Sequence, residues 1–140
     1  MGITITAKNS TYSFDMGCGG FFNLRKNIAL ALDKDFGDNY ARLLYCHTEE
    51  DYEENNRCAE KIIVENKLEE YGDILDFLYA SDADDGKISY KTCGRIYELI
   101  KDVNIENKIF RYAMLAHNDY GEFKIFLKEC YSKRRNMYWY

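Results

Sequence analysis

Proline is absent from this 140-residue chain, histidine appears twice and tryptophan once. Without proline every residue keeps its backbone N–H, so breaks between elements must come from Gly, Asn and Asp chemistry. No apolar run approaches the roughly 18 residues of a membrane-spanning helix. The first residues show no basic-then-apolar leader, so the chain reads as a cytoplasmic protein with no membrane partner. Five cysteines (18, 46, 58, 93 and 130) form an odd, scattered set without Cys-x-x-Cys. Without an export signal they are expected to be reduced, small hydrophobes. Cys46, His47 and Cys58 make one conceivable zinc cluster but lack a second ligand pair, so no metal is expected. Catalytic patterns are also missing. There is no Gly-x-Ser-x-Gly, no His-x-x-x-His and no carboxylate isolated among apolar residues. A Cys–His nucleophile pair would need a spatial adjacency that sequence does not display. The expectation is a non-catalytic protein without a cofactor.

What is present is one α+β domain, spanning 1–140 and large enough for a core without disulfides. ITITAK (3–8) and TYSFDM (11–16) alternate in a strand-like way around Asn9-Ser10, which predicts an N-terminal hairpin. Leu24, Ile28, Leu32 and Phe36 then recur every four residues, with Gly37 as the expected interruption before NYARLLYC. Thr48 and Asp51 form a capping-box variant that opens an acidic helix to about Asn66. In LEEYGDILDFLYA (68–80), Leu68, Tyr71, Leu75 and Leu78 mark a helix whose buried face should include Leu75 and Leu78. Cys93, Ile96, Tyr97, Ile100 and Val103 mark another. IFRYAML (109–115) fits a strand or a helical turn. Asp119 with Glu122 caps a last helix burying Phe123, Phe126, Leu127 and Cys130. The whole should hold four to five helices and a small antiparallel sheet.

Residues 81–89, SDADDGKIS, resemble a calcium loop in outline. With the obligatory sixth-position glycine at Gly86, the ligand positions fall on Ser81, Ala83, Asp85, Ser89 and Thr92. That set has one carboxylate and lacks the bidentate glutamate. Starting from Asp82 instead puts Lys87 where the glycine should be. Neither register suits a hard cation, and a tight turn at Asp85-Gly86 with Ser89 capping the next helix fits better.

A second stretch, MGCGGF (16–21), is a glycine-rich turn between a predicted strand and a helix. Exposed N–H groups there could hold an anion, with Gly17, Gly19, Gly20, Arg25 and Lys26 as the candidate ligand site. The Lys-Ser/Thr of a nucleotide loop is missing, and Phe22 occupies the third glycine position of the dinucleotide fingerprint. Glycines that only turn a strand into a packed helix are the competing explanation.

Charge is distributed unevenly. Residues 1–47 carry a net +1 and residues 87–140 a net +5, whereas 48–86 hold three Lys/Arg against fourteen Asp/Glu, a net −11. Carboxylates spread along helices can imitate a phosphate backbone and attract a basic groove, although a solvated helical face needs charge too. The residues singled out for partner binding are Glu49, Glu50, Asp51, Glu53 and Glu54, then Asp73, Asp76, Asp82 and Asp84. The closing Lys133-Arg134-Arg135 with Tyr138-Trp139-Tyr140 could grip nucleic acid. It equally suits a strand whose aromatics pack back on the core. The acidic middle argues against general nucleic-acid binding.

The stretches ITIT (3–6), YSFDMGCGGFFNLRKNIA (12–29), ISYKTCGRIYELI (88–100) and FKIFLKECYSKRRNMYWY (123–140) resemble small proteins of phages and mobile elements of Gram-positive bacteria. That resemblance implies an anti-defence factor, as anti-CRISPR proteins are. The implied partner is a bacterial defence nuclease, a CRISPR effector, whose basic groove would be occluded by the acidic surface. It supplies no site residues.

Overall fold

A computed structural model describes residues 2–104 and 119–140. Strands β1 (Ile3–Ala7) and β2 (Ser13–Met16) pair antiparallel as the predicted hairpin, with Ile5 opposite Phe14. Asn9 takes a positive φ of 64° in the connection, a conformation that Asn tolerates. Strands β3 (Gly86–Ile88) and β4 (Met137–Trp139) complete a four-stranded antiparallel sheet in the order β2-β1-β4-β3. The C-terminal strand thus lies in the middle. Thr4 and Tyr140 also exchange backbone hydrogen bonds in both directions, at 2.8 and 3.1 Å.

Six α-helices are found among the described residues. Helix α1 (Cys18–Leu32) follows β2 directly, with Gly17 as its N-cap, so Gly19 and Gly20 belong to its first turn. The break expected at Gly37 lies at Asp33, whose side chain accepts from the Phe36 N–H and starts α2 (Lys34–Ala41). Gly37 is buried inside α2 because its backbone lies against Leu30 of α1; an added Cβ would approach the Leu30 Cα to 2.5 Å.

Helix α3 (Glu49–Glu65) begins at Thr48 with the full capping box and ends at Asn66, as the sequence predicts. Only Asn55 and Ala59 are buried in it. Asn39 and Asn55 exchange side-chain amide to backbone carbonyl bonds (3.3 and 3.0 Å), which pin α3 to α2 through a narrow contact. Most of this helix faces water.

After a 3-10 turn at Glu69–Tyr71 comes α4 (Gly72–Tyr79), whose buried residues are Ile74, Phe77 and Leu78. Leu78 is buried as expected, but Leu75 is only half-buried. The register is set by Phe77, which meets the rings of Phe21 (6.0 Å between centroids) and Trp139 (5.4 Å). Helix α5 (Tyr90–Ile100) starts at Ser89, whose hydroxyl accepts from the Thr92 N–H. Val103 lies beyond its end and is exposed. Helix α6 (Tyr120–Ser132) is capped by Asp119 and buries Phe123, Phe126, Leu127 and Cys130, the predicted face, together with Tyr120. The segment 109–115 and His117 lie outside the described residues.

The core forms where this helical layer meets the inward face of the sheet. Ile3, Ile5 and Ala7 point in from β1, alternating with half-buried Thr4 and Thr6. Across the sheet, Phe14, Ile5, Trp139 and Gly86 occupy one row. Gly86 is therefore not the turn residue the sequence suggests. It begins β3, and the Trp139 ring covers its backbone: a Cβ there would come within 2.0 Å of the Trp139 Cζ2. Only glycine leaves room for that ring.

Candidate functional site

The acidic middle of the chain divides between two elements. Glu49, Glu50, Asp51, Glu53 and Glu54 all lie exposed at the start of α3. Asp51 is committed locally: one oxygen accepts from the N–H groups of His47 (3.2 Å) and Thr48 (3.3 Å). The His47 hydrogen bond holds its carboxyl below the usual aspartate range. Glu54 pairs with Arg57 at 2.7 Å. Glu49, Glu50 and Glu53 make no hydrogen bond or ion pair with the described residues.

The second group surrounds a cleft of about 510 Å³ between α4, the 81–85 loop and β3. Asp73 and Asp76 enter from α4, one turn apart; Asp84 and Asp85 enter from the loop; Thr92 and Trp139 also line it. Asp73 is the structural member. It accepts from the Thr92 hydroxyl at 2.9 Å and lies 3.3 Å from an Arg95 guanidinium nitrogen. Asp76, Asp84 and Asp85 are exposed and unpaired among the described residues, as is Asp82 beside them on the loop. Lys87 on the rim is the one cation of the lining. Among the described residues, no three His, Cys, Asp or Glu side chains converge closely enough to hold a metal ion. The carboxylates are spread over a surface, an arrangement suited to many separate contacts with cations on another molecule. Asp85, weighed in the sequence only as a calcium ligand, and Trp139, read only as a tail aromatic, join the cleft through the fold.

The back of the cleft is held by Arg25. Its side chain is buried, its guanidinium lies 4.2 Å from the Phe21 ring centroid, and Nη1 donates to the carbonyls of Ala80 (2.6 Å) and Phe77 (3.3 Å). These are carbonyls at the C-terminal end of α4, where a cation complements the helix dipole. The guanidinium is thus engaged inside the protein, by the end of α4 and the Phe21 ring. Gly17 caps α1 without a side-chain bond, and neither Gly17 nor Gly19 has any atom within 4 Å of where a Cβ would lie. Lys26 is half-buried one turn further along. Of the five residues Gly17, Gly19, Gly20, Arg25 and Lys26, the fold brings the glycines to one helix end and takes the arginine elsewhere.

Cys46 and Cys58 line a shallow cleft with Asp51 and Glu54. The Cys46 thiol donates to the carbonyls of Arg42 (3.5 Å) and Asp51 (3.7 Å). Cys93 and Cys130 are buried and free. The hydrogen bond between their thiols, together with burial, pushes the Cys93 thiol up. Among the described residues, no helix is long and apolar enough to cross a membrane. Compared with protein-family models, curated proteins and solved structures, the chain matches none.

Proposed function

We propose that this protein is a non-catalytic inhibitor that docks an acidic surface onto the basic nucleic-acid groove of a bacterial defence nuclease. The observation that carries the reading is the number of exposed carboxylates that no cation of the described residues hydrogen-bonds or ion-pairs. Glu49, Glu50 and Glu53 on α3, and Asp76, Asp82, Asp84 and Asp85 around the cleft, make no hydrogen bond or ion pair with the described residues. The whole chain carries −5, within the roughly 2–8 in magnitude that suits a small soluble domain, but it concentrates −11 in residues 48–86. Unpaired like charges also destabilise a compact state through mutual repulsion. Their retention on a well-packed scaffold supports a role outside the molecule. Negative potential of this kind steers a basic partner into encounter and resists competition by phosphate chains.

The docking set is narrower than the run of charge suggests. Asp51 and Asp73 hold the fold, so the partner's cations meet the unpaired carboxylates. The direct test is a nuclease cleavage assay with an RNA-guided defence nuclease and its target DNA. Native protein should suppress cleavage. The quadruple variant Asp76→Lys, Asp82→Lys, Asp84→Lys and Asp85→Lys, with unchanged circular dichroism and melting temperature, should not. Equal suppression by the folded variant would remove the cleft from the interface.

A further inference from the structure

A second cleft, of about 530 Å³, lies on the face formed by α5 and α6 and carries the opposite charge. Lys91, Arg95 and Lys128 line it together with Tyr71, Tyr97 and Tyr131. Its one carboxylate, Glu98, is held by Lys101 at 2.6 Å. We propose that this cleft binds a nucleotide, stacking the base against tyrosine and holding phosphate with the three cations.

The helices assemble the site by their spacing. Lys91, Gly94, Arg95 and Glu98 follow the three-and-four rhythm that keeps residues on one face of α5, and Lys128 and Tyr131 lie one turn apart on α6. Gly94 is the pivot. A Cβ there would lie 2.5 Å from Cδ2 and 2.8 Å from Cγ of Tyr131, so glycine lets that ring settle across α5. Packed there and tilted 40° to Tyr90, Tyr131 still leaves 55 % of its surface open. A ring held on one side and open to water on the other is a stacking platform for a base.

The cations are placed to receive phosphate. Arg95 is oriented by its ion pair with Asp73 at 3.3 Å, by donating to the Glu70 carbonyl at 2.8 Å and by lying 5.2 Å from the Tyr71 ring centroid, with part of its guanidinium still exposed. The Lys128 ammonium lies 6.0 Å from the Tyr97 centroid, and neither it nor Lys91 has a carboxylate partner among the described residues. The cleft volume falls within the roughly 300–1,000 Å³ of small-ligand sites. Three tyrosines and three cations in one cleft match a ligand that is both aromatic and anionic. This site shares no element of recognition with the glycine-rich turn, and it stands whether or not the acidic surface docks on a nuclease.

The test is calorimetric titration of the full chain with AMP, ATP, adenosine and inorganic phosphate, and with a single-stranded oligonucleotide as a separate arm. Saturable binding of ATP or AMP is expected, with adenosine and phosphate each at least about tenfold weaker because each lacks half of the contacts. Lys91→Gln with Lys128→Gln, and separately Tyr131→Ala, should each weaken nucleotide binding by about tenfold or more at unchanged melting temperature. The Asp76/Asp82/Asp84/Asp85 variant should bind nucleotide as the native protein does. No saturable nucleotide binding, equal affinity for phosphate alone, or full affinity in folded variants would overturn the proposal. Binding of the oligonucleotide without the mononucleotide would overturn it too, because the surface would then follow a phosphate chain.

Discussion

The same substitution at two glycines should have opposite effects. At Gly86 an added Cβ would lie 2.0 Å from Cζ2, 2.3 Å from Cε2 and 2.8 Å from Cη2 of Trp139. Ordinary carbon contacts are about 3.5–4.0 Å, so ring or strand must move by about 1.5 Å. The ring has little freedom: Trp139 is 4 % exposed and sits against Phe77 and Phe21. The remaining relief is to push β3 outward, which weakens its pairing with β4 and loosens the loop that carries Asp82, Asp84 and Asp85. Overpacking of this kind costs about 1–3 kcal/mol. Taking the upper end, and an unfolding entropy proportional to chain length, Gly86→Ala should lower Tm by roughly 10 °C. Gly19 has nothing within 4 Å of its would-be Cβ and lies in the first turn of α1, so Gly19→Ala should gain about 0.5–1 kcal/mol and raise Tm by roughly 2–3 °C. Thermal unfolding followed by the fluorescence of the single tryptophan reads both. If Gly86→Ala melts within about 2 °C of the native protein, the close approach of β3 to Trp139 is wrong.

Alkali should unfold the protein through its buried phenols. Burial pushes Tyr40 and Tyr120 up to about 12, and local desolvation does the same for Tyr79 although that residue is 42 % exposed, so the neutral form of each is favoured in the folded state. That contribution is complete below about pH 10, where the unfolded phenol begins to ionise, and is lost as pH rises toward about 12. Tyr40 and Tyr120 are 1 % and 2 % exposed and should each account for about 2–3 kcal/mol, Tyr79 for less. Urea midpoints between about pH 8 and 12 should fall accordingly, and a flat profile contradicts the burial of these rings. At the other end of the scale, Thr48→Ala removes the hydroxyl that accepts from the Asp51 N–H at 3.1 Å and should cost about 1 kcal/mol. Because the Asp51 carboxyl is depressed, its share of the cap is present above the ordinary aspartate range and lost as pH falls through the folded value. Faster hydrogen exchange in the first turn of α3 should report both changes; unchanged exchange there would contradict the cap.

What could be read from sequence was local. The caps at Thr48, Ser89 and Asp119 join residues three positions apart and the hairpin pairs near neighbours in sequence, from Thr6 with Ser13 out to Ile3 with Met16; each formed as the sequence predicts. The α6 face was legible because Phe123, Phe126, Leu127 and Cys130 follow the three-and-four spacing of one stripe, although Ile125 is apolar and exposed beside it. In α4, Ile74, Leu75, Phe77 and Leu78 fill two overlapping stripes, so periodicity could not choose between them, and ring contacts with distant Phe21 and Trp139 did. The role of Gly86 depends on Trp139, 53 residues away, and no local pattern marks it. The acidic run was visible as charge, but not the withdrawal of Asp73 by Thr92 and Arg95, nor the turning of Arg25 into the core. No sequence pattern marks Lys91, Arg95 and Lys128, which only the packing of α5 and α6 sets around three tyrosines.

On the proposed reading, the unpaired carboxylates of 48–86 steer this protein onto a basic nuclease groove. Stopped-flow association with an RNA-guided defence nuclease, across about 50 to 500 mM salt, tests it most directly, because steering is screened beyond about 8 Å at physiological ionic strength. The native protein should show an on-rate that falls steeply with salt. The folded Asp76/Asp82/Asp84/Asp85→Lys variant should show a slower and nearly salt-independent rate. Matching on-rates and matching salt slopes for the two proteins would show that these carboxylates only face water.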